Sequence, residues 1–210
     1  MIRDEFGAPE ILESEVVYHG LVWDVVRETF RLPESSEPIT RDFVEHPGAV
    51  AIAAVDEHAR IMLIQQYRHP IRAREWEIPA GLLDVSGEPP HRTAARELAE
   101  EVDLEAATWN VLADQLSSPG GISETLRIYL ARDITARSDA FERDDEESGI
   151  VPRWVPLAEA KAAVVEGRIT NATAALGILH ADLALARGFT DLRPADAPWP
   201  AREVPAAPGA

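Results

Sequence analysis

Apolar and polar residues alternate along "SEVVYHGLVWDVVRETFRL", residues 14–32, on both sides of a His-Gly pair. A period of two predicts strands, and the His19-Gly20 step predicts that they form a hairpin. Residues 1–13 read as a loose arm before it. "AVAIAAV" and "IMLIQQY" predict two more strands, separated by the polar turn "DEHAR". "EWEIPAG" predicts a short strand ending at Pro79 and Gly81. "TWNVLADQL" and "TLRIYLARDI" predict strands flanking the loop "SSPGGISE", and "IVPRWVPL" predicts another.

The period changes at "EPPHRTAARELAEEV", residues 88–102. Ala94, Ala95, Leu98 and Val102 fall on one stripe of a helix. Pro89 and Pro90 suit its first turn, where no intrahelical donor is lost. "LAEAKAAVVEG" and "NATAALGILHADLALARG" predict two later helices, each stopped by a glycine. Strands first, one central helix, more strands and then two helices make an α+β chain, with a mixed sheet between helices. Residues 191–210 are rich in Pro and Ala and read as a disordered tail.

The chain has 210 residues, 46% of them hydrophobic, which suits one domain with arms rather than two full domains. It has no cysteine, which excludes disulfides and a thiol nucleophile and is compatible with a reducing, cytoplasmic location. No run of 18 apolar residues is present, and residues 1–10 lack the apolar segment of a secretory signal. The formal net charge of −17 repels nucleic acid and anionic membranes, so neither is expected as a partner. It also repels a phosphate-bearing substrate unless cations or arginines intervene.

Candidate chemistry centres on "RELAEEV", residues 96–102. Glu97, Glu100 and Glu101 share one helix face at spacings of three and four. Each exposed like-charge pair costs only about 0.2–0.5 kcal/mol, so on the helix alone a solvated acidic face accounts for them. Arg96 can pair with Glu100 across one turn. The preceding "EIPAGLLDVSGE" adds a strand, a glycine loop and another acid. Carboxylates plus a backbone carbonyl suit a hard divalent cation such as Mg²⁺ or Mn²⁺. No histidine pair at HxxxH spacing occurs, which disfavours zinc.

"GLLDVSGEPPHRTAARELAEEVDL", residues 81–104, resembles the Nudix box, G-x5-E-x7-R-E-U-x-E-E-x-G-U. Glu88, Arg96, Glu97, Leu98, Glu100 and Glu101 match in spacing. Six residues rather than five separate Gly81 from Glu88, and Asp103 replaces the second glycine. The resemblance implies an α/β/α sandwich and hydrolysis of a diphosphate linked to another group. It implies that Glu97 and Glu101 bind metal, that Glu100 assists, that the Ala80 carbonyl is a further ligand, and that Arg96 orients the glutamates.

Further segments are similar to the ADP-ribose pyrophosphatase subgroup, over roughly residues 14–187. Pro119 lies 15 residues beyond Leu104, where that subgroup has a marking proline; an ordinary Pro-Gly turn is the other reading. The N-terminal hairpin and "VVEGRITNATAALGIL" are similar to that subgroup's arm and C-terminal helices. The resemblance implies a homodimer built through residues 1–46, a catalytic domain over 47–190, and adenine stacking on Trp23. It implies that Arg68 contacts phosphate and that Arg41 reaches the partner's site. The general base would come from the acidic loop, 138–148, as Glu146 or Glu142. The expected substrate is ADP-ribose or a related nucleoside diphosphate sugar. Rival expectations are a Nudix hydrolase of another such sugar or a dinucleotide, and a non-catalytic module that binds ADP-ribose.

Overall fold

The computed structural model, which describes residues 2–139 and 149–203, divides into two compact units. One comprises Met1–Gly48, Leu116–Thr125 and Pro198–Ala210; the other comprises Ala49–Gln115 and Leu126–Ala197.

The first unit holds an antiparallel sheet of β1 (Glu10–His19), β2 (Asp24–Arg31) and β3 (Ile39–Glu45). The predicted hairpin is present, with His19 opposite Asp24. Its first strand starts at Glu10, inside the segment expected as a loose arm, because cross-strand pairs hold it. Arg31 Nη1 donates to Glu10 at 2.8 Å, and Arg27 grips Asp42 of β3 through two hydrogen bonds of 2.7 and 2.8 Å. Register shifts after Ile11 and Val16 mark bulges in β1. The 116–125 loop is stitched to β3: Val44 N donates to Gly121 O and Ser123 N donates to Val44 O, both at 3.0 Å.

The second unit contains β4 (Ala49–Ala54), β5 (Arg60–Arg68), β6 (Ala73–Glu77), β7 (Ala80–Leu82), α1 (Pro90–Val102), β8 (Leu104–Leu116), β9 (Thr125–Ala136), β10 (Val151–Pro156), α2 (Leu157–Val165), α3 (Ala172–Ala186) and β11 (Arg193–Pro194). One sheet runs β11-β8-β9-β4-β7 and another β10-β5-β6. The five-stranded sheet is mixed: β4 is parallel to β9 and antiparallel to β7. Strand β4 is buried at every position, as a strand covered on both faces must be. Ala49, Ala51 and Ala53 join the core beneath α2 and α3 with Ile178 and Ala181. Helix α1 packs on β4 and β7 with Ala94 and Leu98 outside that cluster. This is the expected α+β architecture with helices on both sides of a mixed sheet.

The reading of "EWEIPAG" as one strand is corrected. Strand β6 ends at Glu77 and β7 begins at Ala80, in a different sheet. Pro79 has no N–H to continue a ladder, and its carbonyl instead accepts from Ile52 N at 2.8 Å. Helix α1 starts at Pro90, two residues later than expected, with Pro89 as its N-cap, and Ala99 joins its buried face while Ala95 stays half-buried. Asp103 closes it in the left-handed conformation, φ 55°, and its N–H reaches Ala99 O. Asp tolerates this conformation better than most non-glycine residues.

The expectation of disorder over 191–210 is also corrected for residues 191–203. Arg193–Pro194 pair with β8, Arg193 Nη1 donates to Asp114 at 2.7 Å, and Trp199 is only 5% exposed. Composition sets a weak local propensity there, but partners distant in sequence supply the order. Residues 204–210 lie outside the described part. Among the described residues, no helix is long and apolar enough to cross a membrane.

The side chain of Arg127 is 2% exposed and donates to both Asp114 oxygens, at 2.7 and 3.2 Å, and to Ala197 O at 2.7 Å. Burial opposes ionisation of Asp114, but Arg127 and Arg193 outweigh it and hold its carboxyl below the ordinary 3.8. This contribution to stability is therefore intact above pH 3.8 and is lost as the pH falls through the lower folded value. Removing Asp114 strands the buried Arg127 guanidinium. Asp114→Ala is expected to cost about 3 kcal/mol in urea unfolding at pH 7, and the difference from wild type should shrink in strong acid.

Candidate active site

Helix α1 delivers the acids, and Arg96 gathers them. Its Nη1 donates to Glu97 Oε1 at 2.8 Å and to Glu100 Oε2 at 2.9 Å. Its Nη2 donates to Glu88 Oε2 at 3.1 Å. Thr93 Oγ1 also donates to Glu88 Oε2, at 2.9 Å, so Glu88 ties the loop before the helix to its first turns. Burial works against the charge on Arg96, but Glu88, Glu97 and Glu100 together keep it more firmly protonated than usual. The Arg96 and Thr93 bonds in turn hold the Glu88 carboxyl below its ordinary value.

The acids are not a solvated face. Glu97 is 9% exposed and Glu101 only 5%. Unpaired buried carboxylates carry a large desolvation cost, so their charge must be met by partners. Glu97 is met by Arg96. Glu101 Oε2 accepts from the backbone N–H of Ala80 at 3.0 Å. The strand-to-strand step at Ile78-Pro79 thus places Ala80 against the end of α1.

Gly81 follows, and here glycine is a steric necessity. A Cβ at this position would overlap the Glu97 carboxyl group. The backbone of β7 therefore approaches the acid more closely than any side chain permits. Among the described residues, no three His, Cys, Asp or Glu side chains converge by themselves on a metal position. Arg96 and the Ala80 amide draw the carboxylates to themselves. The donor set nevertheless fits a hard divalent cation: it is all oxygen, and it carries more negative charge than Arg96 cancels.

Arg68 is the other expected substrate residue in this unit. Its Nε and Nη2 donate to the two oxygens of Glu77 at 2.9 and 3.0 Å. Glu77 is 5% exposed and sits three residues before Ala80. Sequence reasoning missed Glu77. The available signal was an acid between Trp76 and Ile78, in a strand that ends at the glycine loop. A two-point grip of this kind fixes a guanidinium plane while leaving part of it open to solvent.

Trp23, Arg41 and Pro119 belong to the first unit. Trp23 stacks on His46, with ring centroids 4.3 Å apart and planes 23° apart. Arg41 projects from β3 and donates to Thr40 O at 2.8 Å. Pro119 is exposed in a turn closed by Gly121 N donating to Ser118 O at 3.0 Å. Glu142 and Glu146 lie outside the described residues.

Comparison with known proteins places this geometry in context. The NUDIX domain profile matches residues 45–174. The chain is 45% identical over 192 residues to an ADP-ribose pyrophosphatase of Mycobacterium tuberculosis, covering 90% of each chain. It is 33% identical to an ADP-ribose pyrophosphatase of Bacillus subtilis, covering 82% of this chain and 91% of that one. A crystal structure of an ADP compounds hydrolase superposes with a TM-score of 0.68 at 21% identity, over 89% of this chain and all of that one, and shares the fold.

The close approach at Gly81 makes a specific demand. Gly81→Ala should push the Glu97 carboxylate off its position. Calorimetric titration with Mn²⁺ is expected to give an affinity at least about 10-fold weaker than wild type. Circular dichroism should report a folded chain, because the overlap falls on the Glu97 side chain and not on backbone.

Proposed function

The chain belongs to the Nudix domain family, and from that premise we infer that it is an ADP-ribose pyrophosphatase, a hydrolase that splits ADP-ribose into AMP and ribose 5-phosphate. The observation that carries this reading is the buried acid cluster: Glu97 and Glu101 on one face of α1, held by Arg96 and by the Ala80 amide. Likeness to ADP-ribose pyrophosphatases along 90% and 82% of the chain supports the substrate.

Glu97 and Glu101, with Glu100 assisting and the Ala80 carbonyl adding an oxygen, would hold Mg²⁺ or Mn²⁺. Bound there, such ions neutralise diphosphate charge and acidify water. Arg96 fixes the direction of the glutamate carboxylates. Arg68, aimed by Glu77, binds a phosphate oxygen and offsets the repulsion of a −17 chain. A loop acid, Glu146 or Glu142, accepts a proton from the attacking water. The water oxygen bonds to phosphorus as the bridging P–O bond breaks, and the phosphate leaving group carries away the bridging oxygen.

Trp23 stacks on the adenine, and Pro119 belongs to the loop that faces the substrate. Val16, Val17 and Tyr18 of β1 are exposed, which supports dimerisation through residues 1–46. Arg41 then serves the partner's site. The working form is a cytoplasmic homodimer, for which the cysteine-free composition is suited.

Incubating the purified chain with ADP-ribose should yield AMP and ribose 5-phosphate only when Mg²⁺ or Mn²⁺ is supplied, as read by chromatography. Glu97→Gln and Glu101→Gln should each lower turnover by at least about 100-fold while remaining folded. Undiminished turnover in both variants would refute the assignment.

A further inference from the structure

The first unit contains a buried histidine that the mechanism above does not use. The side chain of His46 is 6% exposed. It sits between β3 and β4, and its backbone N–H donates to Ser123 Oγ at 2.9 Å. Its ring is held at Nδ1. The Gly48 N–H donates to Nδ1 at 3.0 Å, so Nδ1 carries no proton. The proton is on Nε2, which faces Glu124 Oε1 at 3.4 Å. Burial disfavours the charged ring more than Glu124 favours it, which agrees with a neutral imidazole.

This immobilised ring lies flat against Trp23. Trp23 sits at the end of the turn between β1 and β2, where neighbouring Leu21 and Val22 are exposed and offer little packing. A half-buried indole on such a turn has rotamer freedom to lose when a ligand stacks on it. A cavity of about 340 Å³ opens beside the pair, lined by Val22, Trp23, Asp24, Glu45, His46 and Pro47.

We propose that His46 is a positioning residue for nucleobase recognition: its buried ring, tethered at Nδ1, backs the Trp23 indole and presents it, already oriented, to a purine entering this cavity. The proposal rests on the reading of the chain as an ADP-ribose pyrophosphatase with Trp23 at the base. His46 touches Trp23 and acts through it. A buried ring fixed by a backbone N–H is a stiffer backing than a loop side chain packed only by contact.

The test is a double-mutant cycle on AMP affinity, measured by calorimetry so that it does not need turnover. His46→Ala is expected to weaken AMP binding about 10-fold. His46→Phe, which keeps a flat ring, should recover most of that loss. Trp23→Ala should weaken binding about as much as His46→Ala or more. The double variant Trp23→Ala/His46→Ala should lose nothing beyond Trp23→Ala alone. In kinetics, His46→Ala should raise KM for ADP-ribose and leave kcat within about two-fold. Hydrolysis of a base-free analogue, two ribose 5-phosphates joined through a diphosphate, should be unaffected. Additive losses in the cycle, unaltered AMP affinity in His46→Ala, or equal KM increases for both substrates would overturn the proposal. Failure of the wild type to cleave ADP-ribose would count against the functional reading, and the AMP cycle would still judge His46.

Discussion

The Arg96 guanidinium is the element on which the site depends. Three glutamates reach it: Glu88 from the loop, and Glu97 and Glu100 from its own helix. Without it, three carboxylates would repel one another at the end of a buried face, and the loop would lose its tie to α1. With it, one positive charge meets three negative ones. The excess keeps the position attractive to a divalent cation, and the planar fork fixes where the carboxylates point. Glu101 is handled separately, by the Ala80 amide, so the acids are oriented by two independent devices.

That arrangement works because the scaffold beneath it is rigid. Strand β4 is buried along its whole length and holds β7 on one side and β9 on the other. The chain crosses from β6 to β7 in two residues, Ile78 and Pro79. This short crossing delivers the Ala80 amide and the side-chain-free Gly81 to the acids. Asp103 stops α1 two residues after Glu101, and its left-handed backbone turns the chain into β8. Loop, helix and strand thus present the acids without needing a long flexible segment.

Arginine recurs at each polar focus. All but one of the 20 cationic side chains are arginine. Arg68 on Glu77, Arg96 on its glutamates and Arg127 on Asp114 each make more than one directed hydrogen bond. In a chain of net charge −17, a cation held by a flexible stem would be drawn toward many acids. The rigid fork selects one geometry. Arg127 uses it to order the C-terminal segment, Arg68 to stay aimed beside the glycine loop, and Arg96 to assemble the candidate metal site.

The order of elements, the acid-bearing helix and its family were legible in the sequence, because periodicity and spacing are local properties. Glu88, Arg96, Glu97, Glu100 and Glu101 are named by their intervals, and a helix with a period of 3.6 residues places them together wherever it packs. The pairing of Arg96 with Glu100 was legible too, because it spans one helical turn; partners beyond the helix were not. That Glu101 takes the Ala80 N–H, that Glu77 aims Arg68, that Trp199 is buried beyond a Pro-rich stretch and that His46 lies on Trp23 all depend on contacts between separate elements of the chain. Local pattern specified which charges are clustered; tertiary packing decided which donor neutralises each one, because a buried charge must be matched by whatever group the fold brings within hydrogen-bond distance.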